Sequence, residues 1–209
     1  MLVFSKARLV FLSVPKTGTS AFEAALGPQA AMIISDPPEL KHAPVFRYNR
    51  FFRPMLEKFV SEKMDVLAVM REPINWLGSW YRYRQRDAVQ GQENATHGVT
   101  FDEFVLAYMK GNRPAFAEVG SQAKFLETQK NGTGVTHLFR YEDQPGLIAF
   151  LEERLQTNIT LPNINVSPAA PLTLSSNVEM RFRRKFAGEF QLYDSIEACG
   201  RYKPLPNAR

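Results

Sequence analysis

Short apolar runs alternate with amphipathic stretches along the chain. Arg8–Val14, RLVFLSV, is a nearly unbroken apolar run of the kind that buried parallel strands show. SAFEAAL, Ser20–Leu26, has helix-forming composition and stops at Gly27-Pro28. AAMII, Ala30–Ile34, predicts a second strand, broken by Asp36-Pro37-Pro38, and DVLAVM, Asp65–Met70, a third that ends at Arg71. Pro73 suits a first helical turn, and a helix over Ile74–Arg86 follows. Val135–Asp143 reads as a fourth strand and Gln144–Leu155 as a helix. Asn177–Ile196 reads as a late amphipathic helix with Met180, Phe186, Phe190 and Tyr193 on its apolar side. This alternation predicts a single α/β domain over residues 1–209, with a mainly parallel central sheet flanked by helices. Asp87–Thr100 and Ile164–Asn177 read as long polar loops, the kind that act as lids or binding segments.

Composition fits a globular domain: of 209 residues, 44% are apolar and 12% aromatic, enough to bury a core. The net charge of +5 points to an anionic ligand without choosing between nucleic acid, acidic polysaccharide and a small nucleotide. The single cysteine, Cys199, excludes an intramolecular disulfide and fits a reducing compartment. Leu9–Val14 is too short to span a membrane or to serve as a signal segment, so a cytoplasmic location without membrane insertion is expected. Under that expectation the sequons at Asn94, Asn131 and Asn158 are polar turns.

The chemistry starts at Ser13–Leu26, SVPKTGTSAFEAAL. A nucleoside-triphosphate loop places its lysine after the last glycine, whereas Lys16 here precedes Gly18 by two residues. With Val14 ending a strand and Ser20 opening a helix, residues 15–20 wrap the positive end of that helix, where free N–H groups bind anions. Gly18 admits close approach, Thr17, Thr19 and Ser20 offer hydroxyls, and Lys16 offers a point charge. A plain strand-to-helix turn with Ser20 as its cap explains the same string without a ligand. REPINWLGS, Arg71–Ser79, argues for the ligand: Arg71 closes a strand at the sheet edge where open α/β folds bind ligands, and Ser79 lies in the helix after it. Taken alone, Arg71 is a turn cap or a partner of Glu72, and Ser79 a small packing residue.

Together, PKTGTS and REPINWLGS resemble the sulfotransferase family that uses 3′-phosphoadenosine 5′-phosphosulfate (PAPS) as sulfo donor. The resemblance implies a P-loop-like sulfotransferase fold in which Pro15, Lys16, Thr17, Gly18, Thr19 and Ser20 cradle the 5′-phosphosulfate. It implies that Arg71 and Ser79 grip the 3′-phosphate, and that PAP is the product. FRYEDQPGLIAFLEERL and FAGEFQLYDSI are similar, more loosely, to the family's later strand–helix and C-terminal helix segments. A basic residue toward the C-terminus is expected to complete the 3′-phosphate site.

Sulfo transfer needs a base for the acceptor proton and a cation for charge on the departing oxygen. No metal is required by that logic, and no metal-ligand spacing is present in the sequence. Among three histidines, His97 lies in a polar loop and His137 in a strand, whereas His42 follows the second strand in LKHAPVFRYNRFF. That context resembles the surroundings of the family's catalytic histidine, with Lys41 displaced by one position. His42 is therefore the expected base, Glu39 the runner-up, and Lys16 the charge on the bridging oxygen. Phe51–Phe59 reads either as a helix lining the acceptor side or as core. YRYRQR, Tyr81–Arg86, and RFRRKF, Arg181–Phe186, read first as solvated helix faces and second as anionic-glycan sites. The expected acceptor is a hydroxyl, ahead of an amine, on a saccharide or small metabolite, with no nucleic-acid partner. A P-loop kinase and a non-catalytic nucleotide- or polyanion-binding module are the competing classes. Mg²⁺-dependent ATP hydrolysis would identify the first, and indifference to loss of His42 the second.

Overall fold

The computed structural model describes residues 1–60, 62–162 and 172–205. Five strands form one mixed sheet: β1 Leu2–Phe4, β2 Leu9–Phe11, β3 Met32–Ile33, β4 Asp65–Met70 and β5 His137–Arg140, in the order β3-β1-β2-β4-β5. The centre is parallel, with Val10 opposite Val66 and Ala68 opposite Leu138. β1 runs antiparallel to both β2 and β3. The helices are α1 Thr19–Leu26, α2 Pro38–Lys41, α3 Val45–Arg47, α4 Arg53–Val60, α5 Pro73–Tyr83, α6 Phe101–Tyr108, α7 Gln122–Phe125, α8 Gln144–Leu155, α9 Ser176–Lys185 and α10 Ala187–Asp194.

The nearly unbroken apolar runs follow from burial of β2 and β4 on both faces. Alternate residues serve opposite layers. Leu9, Phe11, Leu67 and Val69 pack with Phe22 and Leu26 of α1 and Leu147 and Leu151 of α8. Val10, Leu12, Val66, Ala68 and Met70 pack on the other face, with Tyr48, Leu56 and Leu192. A third apolar cluster joins α5, α6, α9 and α10 through Trp76, Leu77, Phe104, Phe182 and Phe190.

Two expectations need correction. The sheet is parallel only in its centre, because β1 and β3 are antiparallel additions at one edge. The late helix is two helices, broken at Phe186, whose φ of −114° and ψ of 35° are not helical. Within α9 the buried face runs through Val178 and Phe182, four residues apart, which turns Met180 outward at 64% exposure, and in α10 Phe190 and Leu192 are buried. The Asp87–Thr100 segment is pinned to α5: Thr96, fully buried, donates its N–H to the Arg84 carbonyl and its hydroxyl to that of Tyr81. Of the second expected loop, Ile164–Asn177, residues 164–171 lie outside the described residues, and α9 begins at Ser176. Among the described residues no helix is long and apolar enough to cross a membrane.

Candidate functional site

The parallel centre carries its chemistry at the carboxyl ends of β2 and β4. β2 ends at Phe11, and residues 12–18 turn the chain into α1. Gly18, at φ 72° and ψ 8°, is the N-cap of α1, and no side chain caps that helix. Its first N–H groups therefore keep their capacity for a ligand. Glycine is needed at 18 twice over: φ is positive, and a Cβ there would stand 3.2 Å from the Tyr141 ring. Lys16 also holds a positive φ, 67°.

The helix starts at Thr19, one residue before the expected Ser20. The hydroxyls do not all face outward. Thr17 is fully buried and donates to the Val14 carbonyl at 2.8 Å, bracing the turn. Thr19 is buried, Ser20 half-buried and Gly18 exposed. Pro15 contributes its carbonyl, which accepts from the Trp76 indole N–H at 2.9 Å and ties the loop to α5.

Arg71 comes to the same loop. Its Nη1 lies 3.5 Å from the Lys16 carbonyl oxygen and its guanidinium 4.4 Å from the centre of the Tyr141 ring. Its Nε is buried with no hydrogen-bond partner. Gln122, 1% exposed, fixes the Arg71 backbone from both sides: its amide oxygen accepts from Arg71 N–H and its amide N–H donates to the Arg71 carbonyl, each at 2.9 Å. The helix carrying Gln122 is held in turn by buried Glu189, which accepts from the Ser121 hydroxyl and the Ala123 N–H. Burial pushes the Glu189 carboxyl above the usual carboxylate range. Tyr141-Glu142-Asp143 form a small brace: Tyr141 lies beneath Arg71, Glu142 accepts from the Glu72 N–H and the Tyr193 hydroxyl, and Asp143 caps α8. Ser79 is buried on α5 at 4% exposure, and among the described residues no hydrogen bond joins it to Arg71 or to the loop.

The Lys16 ammonium packs over α5, 3.7 Å from the centre of the Tyr83 ring and 5.2 Å from that of Trp80. Burial, with Arg86, Arg71, Arg84 and Arg82 adding like charge, lowers its pKa to about 7. The loop is thus a concentration of positive charge in which a dianion would be stabilised.

His42 follows α2 and reaches the end of β2, with Nδ1 2.7 Å from the Ser13 carbonyl oxygen. A carbonyl only accepts, so Nδ1 carries the proton and Nε2 keeps its lone pair. Burial lowers the His42 pKa from its ordinary value, which holds the ring neutral near pH 7. Lys41 is committed elsewhere, to Glu23 of α1 at 3.1 Å. Glu39 is exposed and takes part through its backbone carbonyl, which accepts from Arg47. His97 is exposed, and His137 packs 4.7 Å from the Phe150 ring. Of the Phe51–Phe59 aromatics, Phe51 and Phe59 are exposed rather than in the core.

The sequence reading missed Gln122, Trp76, Tyr141 and Tyr83. A tryptophan or tyrosine beside a basic run was visible, but no sequence signal ties Gln122 to Arg71, which lies 51 residues away. Neither a known protein family, nor a curated protein, nor a solved structure matches the chain.

Proposed function

We propose that the chain is a PAPS-dependent sulfotransferase with a P-loop-like fold, acting on a hydroxyl acceptor, ahead of an amine, on a saccharide or small metabolite. One observation carries the reading. The uncapped start of α1, Lys16 and the Arg71 guanidinium with its unpartnered buried Nε all meet at one sheet edge. An orphaned arginine nitrogen beside a positive loop fits a phosphate-bearing ligand. Residues 15–20 would hold the 5′-phosphosulfate, and Arg71 with Ser79 the 3′-phosphate. When bound, PAPS supplies an activated sulfo group. The chain's own part is positioning and charge. Lys16 offers its ammonium where negative charge accumulates. His42 Nε2 accepts the proton of the acceptor hydroxyl, with Nδ1 locked on the Ser13 carbonyl so that the ring stays in one tautomer.

Release of PAP from PAPS, assayed across a panel of hydroxyl acceptors, tests the reading. Acceptor-dependent release that is lost in His42→Ala, with PAP binding retained, supports it. Mg²⁺-dependent ATP hydrolysis in place of PAP release would identify a kinase-like enzyme. PAP binding with no turnover on any acceptor, unchanged by His42→Ala, would identify a binding module.

A further inference from the structure

We propose that the groove between α6 and α9 is a second ligand site, which takes an organic anion with an apolar body. The groove encloses about 760 Å³, within the range of small-molecule sites. Its apolar floor includes Val99, Leu106, Met109 and Phe116, and its rim carries Lys110, Arg181 and Arg184.

The sequence builds this division into both helices. On α6, Phe104, Val105 and Tyr108 turn into the apolar cluster, leaving Leu106 and, just past the helix, Lys110 for the groove. On α9, Val178 and Phe182 turn inward, leaving Arg181 and Arg184 outward, three residues apart on one face.

Charge identifies the sign of the ligand. Arg183, between the two, is paired with Glu179 and Glu72, and Lys185 donates to the Met109 carbonyl at 2.6 Å. Lys110, Arg181 and Arg184 have no ion pair among the described residues. The one carboxylate among the described residues of the groove, Glu103, is already engaged by the Thr100 N–H and hydroxyl at the start of α6.

The lining identifies the body. Among the described residues it contains no amide, hydroxyl, tyrosine or tryptophan side chain. The charged groups stand at the rim and suit an acid end, while the floor of Val99, Leu106, Met109 and Phe116 offers a hydroxyl-covered body no partner and suits an alkyl or aryl chain. The acid end then meets the guanidinium forks of Arg181 and Arg184. None of this depends on what the β2 loop holds. Trp76, which contacts that loop, sits with Phe104 and Phe182 in the cluster made by the inner faces of these helices.

Calorimetric titration of the full chain with decanoate, kept below its micelle concentration, tests the site. Acetate serves as the anion without a tail, and decyltrimethylammonium as the tail with opposite charge. Saturable binding of one decanoate is expected, with none detectable for either comparator. The exposed double variant Arg181→Ala/Arg184→Ala should retain the far-ultraviolet spectrum and weaken decanoate by at least about tenfold. Absence of saturable decanoate binding would overturn the proposal, as would equal affinity in the double variant or equal binding of the ammonium. Binding of a heparin oligosaccharide through the same arginines, without decanoate binding, would overturn the assignment of ligand class.

Discussion

Replacing Gln122 by leucine removes a clamp without opening a cavity, since leucine is somewhat the larger side chain. In the native protein the amide satisfies both backbone groups of Arg71 at 2.9 Å, from a side chain that is almost wholly buried. A buried backbone donor or acceptor left unmade costs about 1–3 kcal/mol. Arg71 is half-buried, so water can reach part of its backbone, and the two losses together should come to about 2–3 kcal/mol. Urea unfolding followed by tryptophan fluorescence should show a lower midpoint with an unchanged slope. Gln122→Glu keeps the acceptor but, when ionised, sets a carboxylate oxygen against the Arg71 carbonyl in a site 1% exposed, and should cost at least as much as Gln122→Leu at pH 7. The same variants should weaken PAP binding, because the Arg71 guanidinium is aimed by its backbone. A change below about 0.5 kcal/mol for Gln122→Leu, the size of an ordinary surface substitution, would refute the clamp.

Gly18→Ala should cost about 1–2 kcal/mol for the left-handed backbone alone, measured by the same unfolding assay. It should also weaken PAP binding, since the new methyl meets the Tyr141 ring beneath Arg71. Lys16 is depressed from 10.5 to about 7 in the folded chain, so the unfolded state holds more protons between those values. Stability should therefore rise with pH across that window and be lowest below it, and Lys16→Met should remove the rise. If sulfo transfer is the activity, kcat/KM should climb on the acid side with a pKa below the ordinary 6.5 as His42 deprotonates. It should then fall above about 7 as Lys16 loses its proton, and Lys16→Arg should abolish that alkaline limb.

Continuous apolar runs made β2 and β4 legible, because strands buried on both faces leave no polar alternation to misread. α8 is found where its helical periodicity put it, over Gln144–Leu155. β1 was not legible: three residues carry no period, and its place depends on pairing with β2 and β3. The break at Phe186 had one sequence hint, Gly188 two residues on, and the Val178 and Phe182 face of α9 was missed because Met180 and Phe186, six residues apart, do not share a helix face. At the candidate site, the loop and Arg71 could be picked out because each sits just past a strand signal, and His42 because its sequence context resembles that of a family's catalytic histidine. What holds them there could not be, since Gln122, Trp76 and Tyr141 act through contacts between segments distant in sequence. The outward hydroxyl expected of Thr17 also failed, since a side chain beside a free carbonyl satisfies the turn first.

The central claim is that the β2 loop and Arg71 together hold a nucleotide marked by a 3′-phosphate. Titrating the protein with PAP, with AMP and ATP alongside, by calorimetry or thermal shift tests it most directly. A strong preference for PAP that disappears in Arg71→Ala is the result predicted here. Equal affinity for PAP and AMP, or a preference for PAP that survives Arg71→Ala, would contradict it.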